Sequence, residues 1–335
     1  MVADVVVVGA GLAGLRCAIR LAELGREIIV VEAAEAVGGR VRTDVVDGFR
    51  CDRGFQVLNP AYPAVRRWVD LDALALQSFG AGVMVRRDDG LRVIADPVRE
   101  PRLLPQTLRS GYLRPGELAA LARWAVRVLV DPQAVMRQPD MTLAESLDAA
   151  GVVGRLRREV LEPFLAGVLV DSHGLSSANF AKLLVRMFAL GRPGLPAQGM
   201  GALPAQLAAR LPSVRLGMPV DAVSADGGRG VSVVTGGSTL RARAVVVATD
   251  PITAARLPPL QAPAPKGLVA WWVEAPGAPP LPPLLAVARR PRGARGWRGR
   301  HGGGRGDPLR PPPGQAIDRP GRGLHTELSL PRLGV

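Results

Sequence analysis

The sequence of 335 residues is poor in reactive and metal-binding side chains: two cysteines, three histidines and two lysines, with 4% aromatic residues. Cys17 and Cys51 stand far apart, with no CxxC or HxxxH spacing anywhere, so neither a disulfide framework nor a zinc or iron–sulfur site has enough ligands. Catalysis by a protein thiol or by a metal is therefore not expected. Lys182 and Lys266 are the only lysines among 43 basic residues, a bias that fits a GC-rich coding sequence and carries no function. Long apolar runs are also missing. Residues 5–8 follow Asp4 rather than a basic stretch and break at Gly9, and residues 164–170 fall well short of the ~20 needed to span a bilayer. The expectation is a soluble cytoplasmic protein, with peripheral contact to a bilayer left open.

With 47% hydrophobic and 21% charged residues, the chain can bury a core, and its length suits roughly two domains. The net charge of +14 is unevenly placed: residues 289–335 hold 11 Arg against 3 acids, so the body of the chain is only mildly basic. Trp297 is the sole aromatic of that segment, which argues against a specific nucleic-acid partner. Its 18 glycines and prolines in 47 residues exceed the ~25–30% that marks low complexity, and it is expected to be disordered.

The N-terminus carries the clearest chemistry. Residues 4–8 are β-branched without polar alternation, as in a strand buried on both faces of a parallel sheet, and they run straight into Gly9-Ala10-Gly11-Leu12-Ala13-Gly14. Leu12, Leu15, Ala18, Ile19 and Ala22 follow at helical spacing to Leu24, and Gly25 stops the helix. A second β-branched run, 28–31, ends in Glu32. Gly9 suits the tight turn, Gly11 lets backbone approach a pyrophosphate at the helix N-terminus, where the N–H groups of Leu12 and Ala13 point outward, and Gly14 permits close helix–strand packing. Glu32, followed by Ala33, is placed to accept hydrogen bonds from an adenosine ribose and to repel a 2′-phosphate.

NAD and FAD share that unit, and the following residues separate them. The stretch Gly38-Gly39-Arg40-Val41-Arg42-Thr43 resembles the GG-R-x-[RST] element of the flavin-containing amine oxidase superfamily, which includes phytoene desaturase-like and protoporphyrinogen oxidase-like proteins. The resemblance implies that Gly39 brings backbone against an FAD diphosphate and that Arg40 supplies positive charge near it. Asp52-Arg53-Gly54-Phe55-Gln56 is similar to the family's segment near the isoalloxazine ring. Asp52 reads equally as a turn residue, and Gly54 as backbone with no room for a Cβ. Residues 162–171 resemble a PF-x-x-G-V-x-x-D element, read here as a buried helix turn ending at Asp171, and His173 beyond it receives no role.

Pro196-Ala197-Gln198-Gly199-Met200-Gly201-Ala202-Leu203-Pro204 resembles P-x-G-G-M-x-x-[IL]-P, with Gln198 where the family has glycine. Strand-like runs at 214–223, 231–234 and 244–249 follow. By resemblance, Val220 packs on the adenine and Ala248-Thr249 lie by the diphosphate. A hairpin is expected over 81–95 about Asp89-Gly90, and helices from Leu103 to Leu190.

The implied fold is α/β. It comprises a Rossmann-like FAD-binding domain (1–72 and 195–255), an inserted helical plus β-sheet substrate domain (73–194 and 256–288), and a tail (289–335). The implied function is that of an FAD-dependent oxidoreductase moving hydride from a C–H or C–N bond of a small organic substrate to flavin, then electrons to oxygen or a quinone. Family amine oxidases often carry a lysine in a strand equivalent to 267–273. None is present there, which favours carbon-centred dehydrogenation over amine oxidation. The family's closing G-D…G-A-x-x-S-G stretch is absent, and a reading-frame shift near residue 288 is the expected cause. Two alternatives stand beside this reading: a non-catalytic remnant that binds FAD or ADP, and an NAD-dependent dehydrogenase, which Gly38-Gly39-Arg40 disfavours.

Overall fold

The structure, a computed structural model, describes residues 2–228, 230–257, 260–273 and 281–288. The expected tail at 289–335, the product of the expected frame shift near residue 288, lies outside the described residues.

Among the described residues the strands are β1 (Val2–Val8), β2 (Ile28–Val31), β3 (Thr43–Val46), β4 (Phe49–Asp52), β5 (Gln77–Ser78), β6 (Gly82–Arg87), β7 (Gly90–Ala95), β8 (Gly194–Leu195), β9 (Val220–Ala225), β10 (Val231–Thr235), β11 (Ser238–Val247) and β12 (Leu285–Ala288). The α-helices are α1 (Leu12–Glu23), α2 (Pro63–Trp68), α3 (Leu104–Arg109), α4 (Pro115–Val130), α5 (Pro132–Met136), α6 (Leu143–Ala149), α7 (Glu162–Leu169), α8 (Ala178–Leu190), α9 (Ala202–Ala208) and α10 (Pro251–Ala254). No helix among the described residues is long and apolar enough to cross a membrane.

By contact, the chain falls into two units. The first takes the described residues up to Gly80, Arg127–Gln138 and Asn179–Ala270. Its main sheet has the order β2-β1-β11-β10-β9, with β1 parallel to both β2 and β11 and an antiparallel extension through β10 and β9. This is a Rossmann-like α/β arrangement. Alternate residues of β1 feed two separate cores: Val5 and Val7 pack with Leu15, Ile19 and Val30, while Val6 and Val8 pack with Val31 and Val233. Burial on both faces is what the unbroken valine run demands. Each such side chain contributes about 1.5–3 kcal/mol.

The second unit takes Ala81–Val126, Pro139–Ala178 and the described residues from Trp271 onward. Its sheet has the order β12-β6-β7: β6 and β7 form the expected hairpin, and β12 joins β6 in parallel. Arg87 already pairs with Gly90, so the two-residue loop is Asp88-Asp89, one position earlier than the sequence suggests. Val85, Tyr112, Leu156, Val160 and Val287 form its core. The buried Tyr112 hydroxyl donates to Glu159 at 2.7 Å, inside a π-helical turn at Arg157–Leu161. Burial, then the neighbouring carboxylate, push the tyrosine up to about 12.

The structure departs from the sequence expectations in two places. Residues 43–52 form the β3–β4 hairpin across Asp47-Gly48, both with positive φ, a turn that suits hairpin twist. The apolar stretch 267–273 forms no strand, and Val269, Trp271 and Val273 are exposed; β propensity without a neighbouring strand does not make one.

Candidate functional site

β1 carries the chain into the glycine-rich turn, whose backbone is tied on three sides. The Gly9 N–H donates to Val31 O (2.8 Å), the Gly38 N–H to Ala10 O (2.8 Å) and the Ala248 N–H to Val8 O (2.8 Å). Ala248-Thr249 therefore sit against the turn: a Cβ on Gly9 would lie 2.9 Å from Ala248 O, and one on Gly14 would overlap the Gly9 carbonyl oxygen. The protein's own packing requires glycine at both positions, and at Gly9 a φ of +102° does so as well.

Gly11 is different. Its φ of −70° suits any residue, and a Cβ there would meet no atom of the described residues within 4 Å. It is the N-cap of α1, no side chain caps the helix, and Leu12 and Ala13 follow half-buried and exposed. The first N–H groups of a helix need partners, and the dipole favours an anion. Gly39 closes the other side, its own Cβ position 3.5 Å from Gly11 Cα, with Arg40 exposed beside it. The residues present thus fit a diphosphate carried on backbone.

Glu32 follows β2 directly. Its Oε2 accepts from Ala10 N–H at 2.7 Å and its Oε1 from Ala34 N–H at 3.0 Å, with Ala33 exposed between them. The carboxylate is thereby oriented, and each oxygen keeps a lone pair for a ribose hydroxyl. The Glu32 N–H donates to Arg215 O (2.8 Å) and the Met218 N–H to Glu32 O (2.8 Å), so residues 215–218 run beside the end of β2. Half-buried Val220 follows and packs with the cluster containing Val8, Val31 and Val233.

Three sequence motifs meet at one buried carboxylate. Asp52 Oδ1 accepts from Thr43 Oγ1 (2.5 Å) and Met200 N–H (2.9 Å), and Thr43 Oγ1 in turn accepts from Gly201 N–H (2.8 Å). Thr43 ends the GG-R element, Asp52 opens the D-x-G element, and Met200-Gly201 belong to the third stretch. Sequence reasoning, which reads Asp52 equally as a turn residue, misses this junction; the acid in one motif, with a Thr and a glycine-flanked Met in the others, is the only signal. Gly54 has φ of +91°, which calls for glycine, whereas the nearest atom to a Cβ is Leu268 Cδ2 at 4.0 Å; backbone conformation rather than crowding by protein explains it. Half-buried Phe55 and Gln56 follow, and Gln56 Nε2 donates to the carbonyls of Arg40 (2.8 Å) and Arg53 (3.2 Å). His173 is exposed, its N–H donating to Asp171.

This geometry defines a dinucleotide-binding α/β protein. Residues 12–279 match the family model described as flavin containing amine oxidoreductase, and the chain belongs to that family, whose members bind FAD. Over 62 residues it is 47% identical to a protein of Mycobacterium tuberculosis (strain CDC 1551 / Oshkosh) named as the flavin-containing monoamine oxidase AofH, covering 18% of this chain and 14% of that one. Its fold is similar to that of a wild-type putrescine oxidase bound to putrescine (TM-score 0.57, 22% identity, 77% of this chain and 60% of that one). It also resembles cyclohexylamine oxidase from Brevibacterium oxydans IH-35A (TM-score 0.55, 21% identity, 77% and 60%). The chain thus spans about three fifths of the solved structures it matches, and a far smaller part of the curated relative.

Proposed function

We propose that the chain binds FAD across the glycine-rich turn and acts as an FAD-dependent oxidoreductase on a small organic substrate. The observation that carries this reading is Gly11: neither its backbone angle nor its packing needs a glycine, while a diphosphate approaching the α1 N-terminus does. When bound, FAD supplies a two-electron acceptor able to take hydride from a C–H bond next to carbon or nitrogen, with oxygen or a quinone as the final acceptor.

The chain's own residues bind and orient. The N–H groups at Gly11, Leu12 and Ala13 hold the diphosphate between the turn and Gly39, with Arg40 adding positive charge. Glu32 accepts from the ribose hydroxyls and, as an anion, disfavours a 2′-phosphate, with Ala33 at its side. Val220 packs against the adenine, Ala248 and Thr249 back the turn, and Gly54, Phe55 and Gln56 lie towards the flavin. No acid or base of the chain is assigned a proton. The stretch 267–273 carries no lysine, which inclines the substrate towards carbon-centred dehydrogenation. A cytoplasmic location accompanies this reading.

An absorption spectrum of the purified, dialysed protein tests it, followed by denaturation to identify released cofactor. Flavin bands and released FAD are expected. A colourless chain that takes up no added FAD would overturn the reading in favour of a non-catalytic remnant, and uptake of NAD instead would favour a nicotinamide enzyme.

A further inference from the structure

Helix α3, in the second unit, is built inside out. Thr107 and Ser110, the residue that ends the helix, are buried at 4% and 2% exposure, while Leu104 is exposed at 38% and Leu108 at 63%. The polar side chains are the ones that pin it. Thr107 Oγ1 donates to Leu103 O (2.9 Å) and accepts from the Ala95 N–H of β7 (3.0 Å), and Ser110 Oγ accepts from the Tyr112 N–H (3.3 Å). Successive helical residues stand about 100° apart, so with Thr107 held against β7, Leu108 and Arg109 turn outward, and Leu104 shares a side with Leu108. A surface helix ordinarily buries its apolar stripe, and here folding leaves the leucines in water. Val98 and Leu113, on either side of α3 in sequence, are exposed as well.

The charge on the same stretch is one-sided. Residues 96–118 hold four arginines and three acids, and each acid is engaged within the fold. Asp96 pairs with Arg99 (2.8 Å), Glu100 accepts from the Ala81 N–H (3.0 Å), and Glu117 accepts from the Leu156 N–H (2.9 Å) with Arg114 nearby at 3.6 Å. Arg102 and Arg109 are exposed and carry no ion pair among the described residues. What α3 turns outward is therefore leucine and unpaired arginine. A second copy meeting this face with its own would set like charges together, and nucleic acid offers leucine no apolar partner. An anionic bilayer offers phosphate to the guanidinium groups and acyl chains to the leucines.

We propose that the face of α3 carrying Leu104, Leu108 and Arg109 docks the protein on an anionic phospholipid bilayer, with the leucines entering the acyl boundary and the arginines at the headgroups. The bonds of Thr107 hold the helix in place before lipid arrives, so little ordering remains to be done on contact. The inference uses no residue of the dinucleotide cradle and stands apart from the FAD reading.

The test is cosedimentation of the full chain with vesicles of phosphatidylcholine containing about 30 mol% phosphatidylglycerol, compared with pure phosphatidylcholine. Binding to the anionic vesicles is expected, at least about tenfold weaker on the neutral ones and at about 1 M salt. The double variant Leu104→Gln/Leu108→Gln leaves every charge in place, including the arginines of 289–335, and should weaken binding about tenfold, and Arg109→Gln about fivefold. Val130→Gln, at an exposed valine of the first unit, should stay within about twofold of wild type, and thermal unfolding should be unchanged in all three variants because the side chains are exposed. Absence of binding to the anionic vesicles overturns the proposal. So does binding that the double variant retains, which would assign the contact to another part of the chain. A wild-type dimer that the double variant dissolves, with no vesicle binding by either, would give the face to a second copy instead.

Discussion

The glycine-rich turn and the Asp52 junction lie in the same unit and are built from opposite materials. The turn presents backbone: Gly9 and Gly14 are pressed against protein, Gly11 faces outward, and the Glu32 carboxylate only braces the bend from the side, at the Ala10 N–H. The junction presents a buried carboxylate, Asp52, that accepts from nearby Thr43 and from Met200, 148 residues away in sequence. One region is shaped so that something can approach it; the other holds distant segments in register so that the first keeps its shape. A glycine and a buried charge can thus serve one site, the former by leaving room and the latter by removing freedom.

That comparison can be broken most forcefully at Gly14. Alanine there collides with the Gly9 carbonyl, so Gly14→Ala is expected to cost at least about 3 kcal/mol in denaturant unfolding and to abolish FAD uptake together. Asp52→Ala comes next. Loss of the charged acceptor leaves the Met200 N–H and the Thr43 hydroxyl without it, costing about 2–3 kcal/mol, with FAD affinity falling only as a consequence of a loosened GG-R element. Gly11→Ala sharpens the contrast: thermal unfolding should stay within about 0.5 kcal/mol of wild type while FAD binding weakens at least about tenfold, or ~1.4 kcal/mol. Equal losses in stability and binding would show that Gly11 serves packing like its neighbours.

The smallest effect belongs to a reference point outside both regions. Tyr112→Phe removes the bond to Glu159 and should cost about 1 kcal/mol without touching FAD affinity. The folded state holds Tyr112 protonated beyond its ordinary value of 10, up to about 12. Its contribution is therefore complete below pH 10 and lost as pH rises from 10 towards 12, a slope in unfolding free energy that the phenylalanine variant should lack.

Much of the turn was legible because its determinants are local. The valine run, the glycine spacing, the helical period of Leu15, Ala18 and Ile19, and Glu32 at the end of β2 all lie within 32 residues, and each states its own geometry. The β3–β4 hairpin was legible in principle through Asp47-Gly48, but the GG-R and D-x-G motifs on either side drew the same residues into a cofactor reading. The Asp52 junction was barely legible, since the acid, the Thr and the glycine-flanked Met stand in three separate motifs and only the fold brings them together. Residues 267–273 misled for the converse reason: their composition suits a strand, and pairing depends on a neighbour that composition does not supply.

The place of β11 has a consequence for the birth of the protein. β1 is synthesised well before β11, one of its two sheet neighbours, and the turn after β1 is backed by Ala248. At about 5–20 residues per second, β1 waits roughly 10–50 s with one edge unpaired while the intervening chain is made. An apolar valine strand held open that long is a template for wrong pairing. Helices formed from local contacts can fill the interval, but the cradle cannot close until its last strand arrives. A ribosome stalled before residue 248 would therefore carry every glycine of the turn and no finished site.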